Sequence, residues 1–314
     1  MAATLNRIGL ARDAYKGAAT TMCAGCGHNS ITNHLIKALY ELGVEPQRLA
    51  KMSGIGCSSK TPAYFVEQAH GFNGVHGRMP ALTTGAQLAD RRLIMLGVSG
   101  DGDTVSIGLG QFSATADVGS VQKKGAVNTF QPIDPCAVAL TLGCSFVARS
   151  FSGDGKQLVP LIKAAIAHRG MALLDVISPC VTFNDHDGST KSYSWVKEHD
   201  EEIHDVSFIP FFEEIAVDYA PGTAVSVEMH DGSHLLLKKL GEEYDPTDRM
   251  QAMHLVEDSR AKGQLLTGLL YIDESSPDFA TTEHIPAERP LRDLGEQELR
   301  LSRADFDTFM DEFA

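Results

Sequence analysis

No apolar stretch in the 314 residues approaches the roughly 20 that a membrane-spanning helix needs, and the N-terminal MAATLNRIGLARDAYKG has no apolar signal core. A cytoplasmic protein that neither spans nor docks on a membrane is the expectation. Positive charge is also scarce, with 27 Lys and Arg against 41 Asp and Glu, a net charge of -14 and a pI near 5.2. No basic run offsets that balance, so the concentrated basic face of a nucleic-acid binder is missing. Internal repeats and low-complexity tracts are absent as well. What the chain does have is bulk: 33.8 kDa with 43% hydrophobic residues can bury a large core, enough for one large α/β domain plus an extension.

Six cysteines in a chain without a secretory signal should be reduced, so their spacing is read for metals or catalysis before disulfides. Cys23-Ala24-Gly25-Cys26 is a turn tight enough to aim two thiolates at one ion. Asn29 can cap the helix that follows, whose apolar Ile31, Leu35, Ile36, Leu39 and Leu42 share one face and which ends at Gly43. A second strand-to-loop transition runs from Leu49–Met52 into Ser53-Gly54-Ile55-Gly56-Cys57-Ser58-Ser59-Lys60. Gly74-Val75-His76-Gly77-Arg78 is a third turn of this kind, before a helix over 81–89. Cys136 and Cys144 lie in an apolar helical run and read as buried, unreactive thiols.

The apolar run Leu93–Val98 ends in Ser99-Gly100-Asp101-Gly102-Asp103, which reads as a buried parallel strand opening into a phosphate-binding turn with a helix behind it. Its Asp101 could hold Mg2+. An ordinary capped loop, with Asp103 as N-cap, explains the turn in isolation equally well. Further strands are expected over 145–149 and 171–177, with a helix over 156–168 between them. The last strand delivers Ser178-Pro179-Cys180-Val181-Thr182-Phe183-Asn184-Asp185. Such alternation is the signature of right-handed βαβ units in a mainly parallel sheet. Cys57, Asp101 and Cys180 then fall at the carboxyl ends of strands, along the edge where open α/β sheets place their ligands. From about residue 198 the chain turns acidic. It carries a hairpin pattern at 224–229 and 233–237, a helix over 248–262, a strand over 265–272 and a last helix near 303–313. This region has no catalytic constellation and reads as an α+β extension for subunit contact.

Taken in order, CAGCG, SGIGCSSK, GVHGR, SGDGD and SPCVTFND resemble the thiamine diphosphate-binding β subunit of 2-oxoacid:ferredoxin oxidoreductases, most similarly the 2-oxoglutarate type. The resemblance runs from Cys23 to Asp185 and implies the α/β thiamine diphosphate-binding fold, with a mainly parallel sheet. It divides the chain into a lead-in (1–20), a cofactor domain (21–197) and the C-terminal extension (198–314). It implies that Cys23, Cys26, Cys57 and Cys180 hold one [4Fe-4S] cluster and that Ile55, Gly56, Ser58, Gly102 and Asp103 hold thiamine diphosphate, with Asp101 on Mg2+. His76 carries over as a cofactor neighbour, although a hydrogen-bonded core histidine explains it equally well. Lys60 carries over to the substrate or acyl-acceptor side, against the plainer reading of a solvated charge.

The implied activity is reversible, coenzyme A-dependent oxidative decarboxylation of a 2-oxoacid such as 2-oxoglutarate or pyruvate, with electrons leaving through the cluster to ferredoxin. No glutamate has the context of a thiamine activator, and the resemblance implies that a separate α subunit supplies it, in a heterodimer or dimer of heterodimers. Two rivals use the same residues. A four-cysteine zinc domain would need no cofactor turn, but its ligands usually come as two CxxC pairs and here only one exists. A cluster-free thiamine diphosphate decarboxylase leaves Cys23, Cys26 and Cys180 without a role.

One departure from the family pattern is large. Relatives continue from the GDGD helix into a strand ending in an Asn-Asn-Gly-Val-Tyr-Gly-like loop with the remaining Mg2+ ligands, whereas this chain passes from Gln111-Phe112 straight to the polar stretch from Ser113 to Gly125. About one strand and its turns, on the order of two dozen residues, are therefore expected to be missing between Phe112 and Ser113. Either the printed sequence skips a stretch or the product is shortened. Loss of a central strand would expose core, which favours the first.

Overall fold

The computed structural model describes residues 4–109, 133–180, 214–229 and 234–313. The Phe112–Ser113 junction, the end of the SPCVTFND motif and the turn of the C-terminal hairpin lie outside them.

The branched apolar runs form strands where the pattern places them: β1 (Leu49–Ser53), β3 (Ile94–Val98), β4 (Phe146–Phe151) and β5 (Ala172–Ile177). A strand absent from the sequence expectation, β2 (His70–Asn73), lies parallel to β1. It is exposed along its length and holds one large apolar residue, Phe72, so it has no alternation to reveal it. The order β2-β1-β3 makes a three-stranded parallel sheet. A second, five-stranded sheet runs β5-β4-β8-β7-β6, with β6 (Ala224–Glu228), β7 (His234–Lys239) and β8 (Gln264–Ile272) from the C-terminal region. β4 pairs with β5 in parallel and with β8 antiparallel. β6 and β7 form the expected antiparallel hairpin. The fold is thus mixed α/β with parallel sheet at the candidate site, and the C-terminal region shares a sheet with the β4–β5 unit.

Among the described residues, β3 and β5 each keep one unpaired edge, and the two sheets meet through a shared core rather than through hydrogen bonds. That core gathers Leu35, Ile36 and Leu39 of α1 (Gly27–Leu42), Leu49 of β1, Phe65, and Leu158, Val159 and Ile162 of α4 (Gly155–Ala167). Ile94 and Val98 of β3 and Leu174 and Val176 of β5 pack on the same cluster. Both helices are amphipathic at the helical period, and each lays its apolar stripe inward. Truncating the fully buried Leu39 to Ala should cost about 2–5 kcal/mol.

Two helix starts differ from the sequence expectation. Cys26, in extended backbone, is the N-cap of α1, while Asn29 lies inside the first turn and donates from Nδ2 to the Cys23 carbonyl (3.1 Å). The helix behind Asp101 is a single π turn, Gly102–Ile107, with Asp101 at its N-cap. Further along, α2 (Met79–Ala89) follows the GVHGR turn. The short α3 (Pro135–Thr141) ends before Cys144, so Cys136 and Cys144 share a core rather than a helix face. In the C-terminal region, α5 (Arg249–Ala261) covers β8 and α6 (Arg303–Asp311) closes the chain.

Candidate functional site

Three loops leave the carboxyl ends of β1, β2 and β3, and one buried carboxylate ties them together. Asp103 is only 3% exposed. Its Oδ1 accepts from the Gly77 backbone N–H (2.6 Å) and pairs with His76 Nδ1, and its Oδ2 accepts from Ser99 Oγ (2.6 Å) and the Ile55 N–H (3.3 Å). Burial alone would raise this carboxyl. The hydrogen bonds outweigh it and hold the group below its ordinary range. The close approach needs a glycine opposite, since a Cβ on Gly54 would stand 1.8 Å from Asp103 Oδ2. The structure therefore turns the second aspartate of SGDGD inward as a fastener of loops 54–57, 74–78 and 99–103.

The residues expected to face a diphosphate sit around this fastener. Ile55, Gly56 and Cys57 are exposed, and Ser58 is buried, with its Oγ 2.8 Å from where a Cβ on Gly100 would lie. A Cβ on Gly56 or on Gly102 would meet nothing within 4 Å, so both glycines border open space. Asp101 is exposed, and its carboxylate makes no hydrogen bond among the described residues. The His76 side chain is 44% exposed, and its pairing with Asp103 fixes the ring through Nδ1. Lys60 is exposed on the turn Ser58–Tyr64, with its N–H bonded to the Cys57 carbonyl (3.0 Å). Two hydroxyls of that turn, Ser59 Oγ and Thr61 Oγ1, are buried without a hydrogen-bond partner among the described residues.

The four candidate cysteines come from three segments that meet beside the Cys57 loop. All six cysteines lie among the described residues, and none is in a disulfide. Cys23, Cys57 and Cys180 are exposed and Cys26 is buried. Burial pushes the Cys26 thiol up and the backbone N–H of His28 pulls it down, while Cys180, Cys23 and Cys57 lie near enough to push it further. Contact between the CxxC and SPC turns depends on Gly27, whose N–H donates to the Pro179 carbonyl (3.2 Å). A Cβ there would fall 2.6 Å from Ser152 Oγ and 2.7 Å from Pro179 Cδ. Among the described residues the thiols are neighbours, yet no three Cys, His, Asp or Glu side chains already form a metal-sized group. Cys136 and Cys144 stay apart in the second core, where burial drives both thiols up.

Sequence reasoning missed Ser99 and His28. Ser99 Oγ donates to Asp103 and accepts from Thr104 Oγ1 (2.7 Å). His28 Nδ1 lies 3.3 Å from both Cys26 Sγ and Ser178 Oγ, and burial pulls its pKa down. The adjacency of His28 to the CxxC was the available signal.

No family model matches the chain. It is 36% identical over 191 residues to a 2-oxoacid:ferredoxin oxidoreductase subunit beta of Sulfolobus sp, covering 52% of this chain and 63% of the relative. It is 35% identical to the 2-oxoglutarate oxidoreductase subunit KorB of Mycobacterium tuberculosis, over 52% and 51% of the two chains. With the 2-oxoglutarate synthase subunit KorB of Methanocaldococcus jannaschii the identity is 30%, over 51% of this chain and 69% of the relative. The matched part thus spans between about half and two thirds of these curated relatives. The Sulfolobus alignment is 191 positions long but takes up only 52% of the 314 residues, about 163, so roughly 28 positions of the relative have no counterpart here. Among solved structures, the 2-oxoglutarate:ferredoxin oxidoreductase from Magnetococcus marinus, with 2-oxoglutarate, coenzyme A and succinyl-CoA bound, matches with a TM-score of 0.67. The sequences are 26% identical, and the match covers 97% of this chain and 96% of that one.

Proposed function

The chain belongs to the β-subunit family of 2-oxoacid:ferredoxin oxidoreductases, and on that premise we propose that it is the cofactor-bearing half of a CoA-acylating enzyme that acts on 2-oxoglutarate or a related 2-oxoacid. The observation that carries this reading is the joining of two features where the carboxyl ends of β1 and β3 in one sheet approach the carboxyl end of β5 in the other. Loops bordering open space at Gly56 and Gly102 stand beside the meeting point of four cysteines.

The residues fit the groups the family implies. Backbone without side chains at Gly56 and Gly102 admits a diphosphate to close range, and the exposed Asp101 offers an oxygen to Mg2+. Cys23, Cys26, Cys57 and Cys180 supply the four thiolates of a [4Fe-4S] cluster. When bound, thiamine diphosphate would provide the electron sink for decarboxylation, and the cluster a one-electron outlet. The chain's own part is placement. Asp103 holds the Ile55, His76 and Ser99 loops in one register, from which Ile55 and Ser58 would hold the diphosphate. His76, fixed through Nδ1, offers Nε2 to the cofactor side, and Lys60 stands on the substrate or acyl-acceptor side.

The alignment shortfall of roughly 28 positions supports the further reading that about one strand and its turns are missing between Phe112 and Ser113. Its loop would complete the Mg2+ shell that Asp101 begins. An α subunit, coenzyme A and ferredoxin complete the proposed assembly.

The test is reconstitution under anaerobic conditions. Together with its α subunit the chain should reduce a viologen dye in a manner dependent on 2-oxoglutarate and coenzyme A, and alone it should not. Dye reduction by the isolated chain, or none by the complex, would contradict the proposal.

A further inference from the structure

Lys51 stands in the middle of β1, six residues before Cys57, and is 5% exposed. Its Nζ donates to the carbonyls of Pro62 (2.7 Å), Phe65 (2.6 Å) and Val66 (2.8 Å), which occupy all three ammonium protons. It also lies 5.1 Å from the centre of the Phe65 ring. Val66 adopts φ 39°, a conformation that a β-branched residue takes only when its surroundings impose it. One of those impositions is the bond from Lys51. Another is the bond from the Val66 N–H to the Tyr15 carbonyl (2.8 Å).

The same segment is the seam to the N-terminal cysteines. Lys16 and Phe65 form an antiparallel bridge, and Gly17 and Ala18 donate to the Tyr64 (3.1 Å) and Ala63 (2.9 Å) carbonyls. Tyr64 Oη and Thr21 Oγ1 are hydrogen-bonded at 2.6 Å, two residues before Cys23. Residues 62–66 therefore form at once the exit of the Cys57 loop and the support for the approach to Cys23 and Cys26. Lys51 pins that shared segment to β1.

We propose that Lys51 is a positioning residue for the four-cysteine centre, setting the spacing between Cys57 and the Cys23–Cys26 pair through the Pro62, Phe65 and Val66 carbonyls. The proposal rests on the reading that these cysteines share one centre. A buried ammonium is costly to desolvate, the Glu67 charge offsets part of that cost, and the ammonium's three hydrogen bonds all fall on one short segment. A purely apolar strand residue would leave those carbonyls unpaired and the seam unfixed.

The experiment compares the full-length chain with Lys51→Met, which keeps the stem and removes the donors, with Lys51→Arg, which restores donors, and with Tyr64→Phe, which cuts the link to Thr21. Leu270→Ala, in the second core, controls for lost stability. Two readouts apply well below each melting temperature: Co2+ affinity of the metal-free chain followed by thiolate-to-cobalt absorption, and the reduction potential and iron content after cluster reconstitution. Lys51→Met should weaken Co2+ binding about tenfold and shift the potential, Tyr64→Phe should do so more weakly, Lys51→Arg should recover part of the loss, and Leu270→Ala should change neither. Wild-type cobalt affinity and potential in a folded Lys51→Met chain would overturn the proposal. If Lys51→Met does not fold, unchanged readouts in Tyr64→Phe would overturn it, and weakened ones would support it. A wild-type chain that binds Co2+ through four thiolates but takes up no iron–sulfur cluster would sink the cluster reading and leave Lys51 standing. One that binds neither would sink both.

Discussion

Asp103→Asn tests the loop fastener with the smallest possible change. The wild-type carboxylate takes two donors on each oxygen: Gly77 N–H and His76 Nδ1 on Oδ1, Ser99 Oγ and Ile55 N–H on Oδ2. An asparagine keeps one oxygen and brings an NH2 group in place of the other. Ser99 can rotate its hydroxyl to accept from that NH2. The backbone N–H of Gly77 or of Ile55 cannot turn away, so one backbone donor is left facing another donor. Losing a charge-assisted bond and stranding a buried donor each cost roughly 1–3 kcal/mol, which gives about 2–6 kcal/mol in total. For a chain of this size that corresponds to a fall in melting temperature on the order of 10 °C. Thermal unfolding followed by near-ultraviolet circular dichroism reads the stability, and calorimetric titration with thiamine diphosphate and Mg2+ reads the cradle, where affinity should fall at least about tenfold. A variant that melts within about 2 °C of wild type and binds the cofactor equally well would refute the fastener argument.

Other outcomes follow from the same geometry. Gly54→Ala drives a methyl group into Asp103 Oδ2 and should reproduce the Asp103→Asn phenotype in melts and titrations. Burial holds the Cys26 thiol protonated, and a metal must displace that proton. Co2+ affinity of the metal-free chain should therefore rise at least about tenfold from about pH 6.5 to about pH 7.5, and a flat profile would count against a buried thiol ligand. Cys136→Ser should lower stability by about 1–3 kcal/mol while leaving iron content unchanged. Cys57→Ser should do the reverse, and iron analysis beside a thermal melt separates the two.

Much of the site was legible because its elements are local. Branched runs that end in Gly-, Ser- or Pro-marked turns announce strands, and the structure places β1, β3, β4 and β5 within a residue or two of those runs, although β3 and β5 are half-buried where the sequence predicts buried strands. What escaped depends on direction and on distant partners. SGDGD specifies a tight turn, but only Gly54 opposite, 49 residues earlier in sequence, makes room for Asp103 to point inward. The strand at Gln264–Ile272 was visible as a strand, yet nothing local says that it pairs with β4. β2 lacks apolar alternation, so period-based reasoning passes over it. Lys51, inside the run Leu49–Met52, carries no local signal, because the carbonyls that satisfy it lie 11 to 15 residues away along the chain.

In the proposed assembly, four cysteines from three segments hold one iron–sulfur cluster beside a thiamine diphosphate cradle. The most direct measurement is iron, acid-labile sulfide and zinc per chain after anaerobic purification and reconstitution, read alongside the electron paramagnetic resonance spectrum of the reduced protein. About four iron and four sulfide per chain, lost together in Cys57→Ser, is the expected result. One zinc per chain with no sulfide would contradict it and make the centre a structural zinc site.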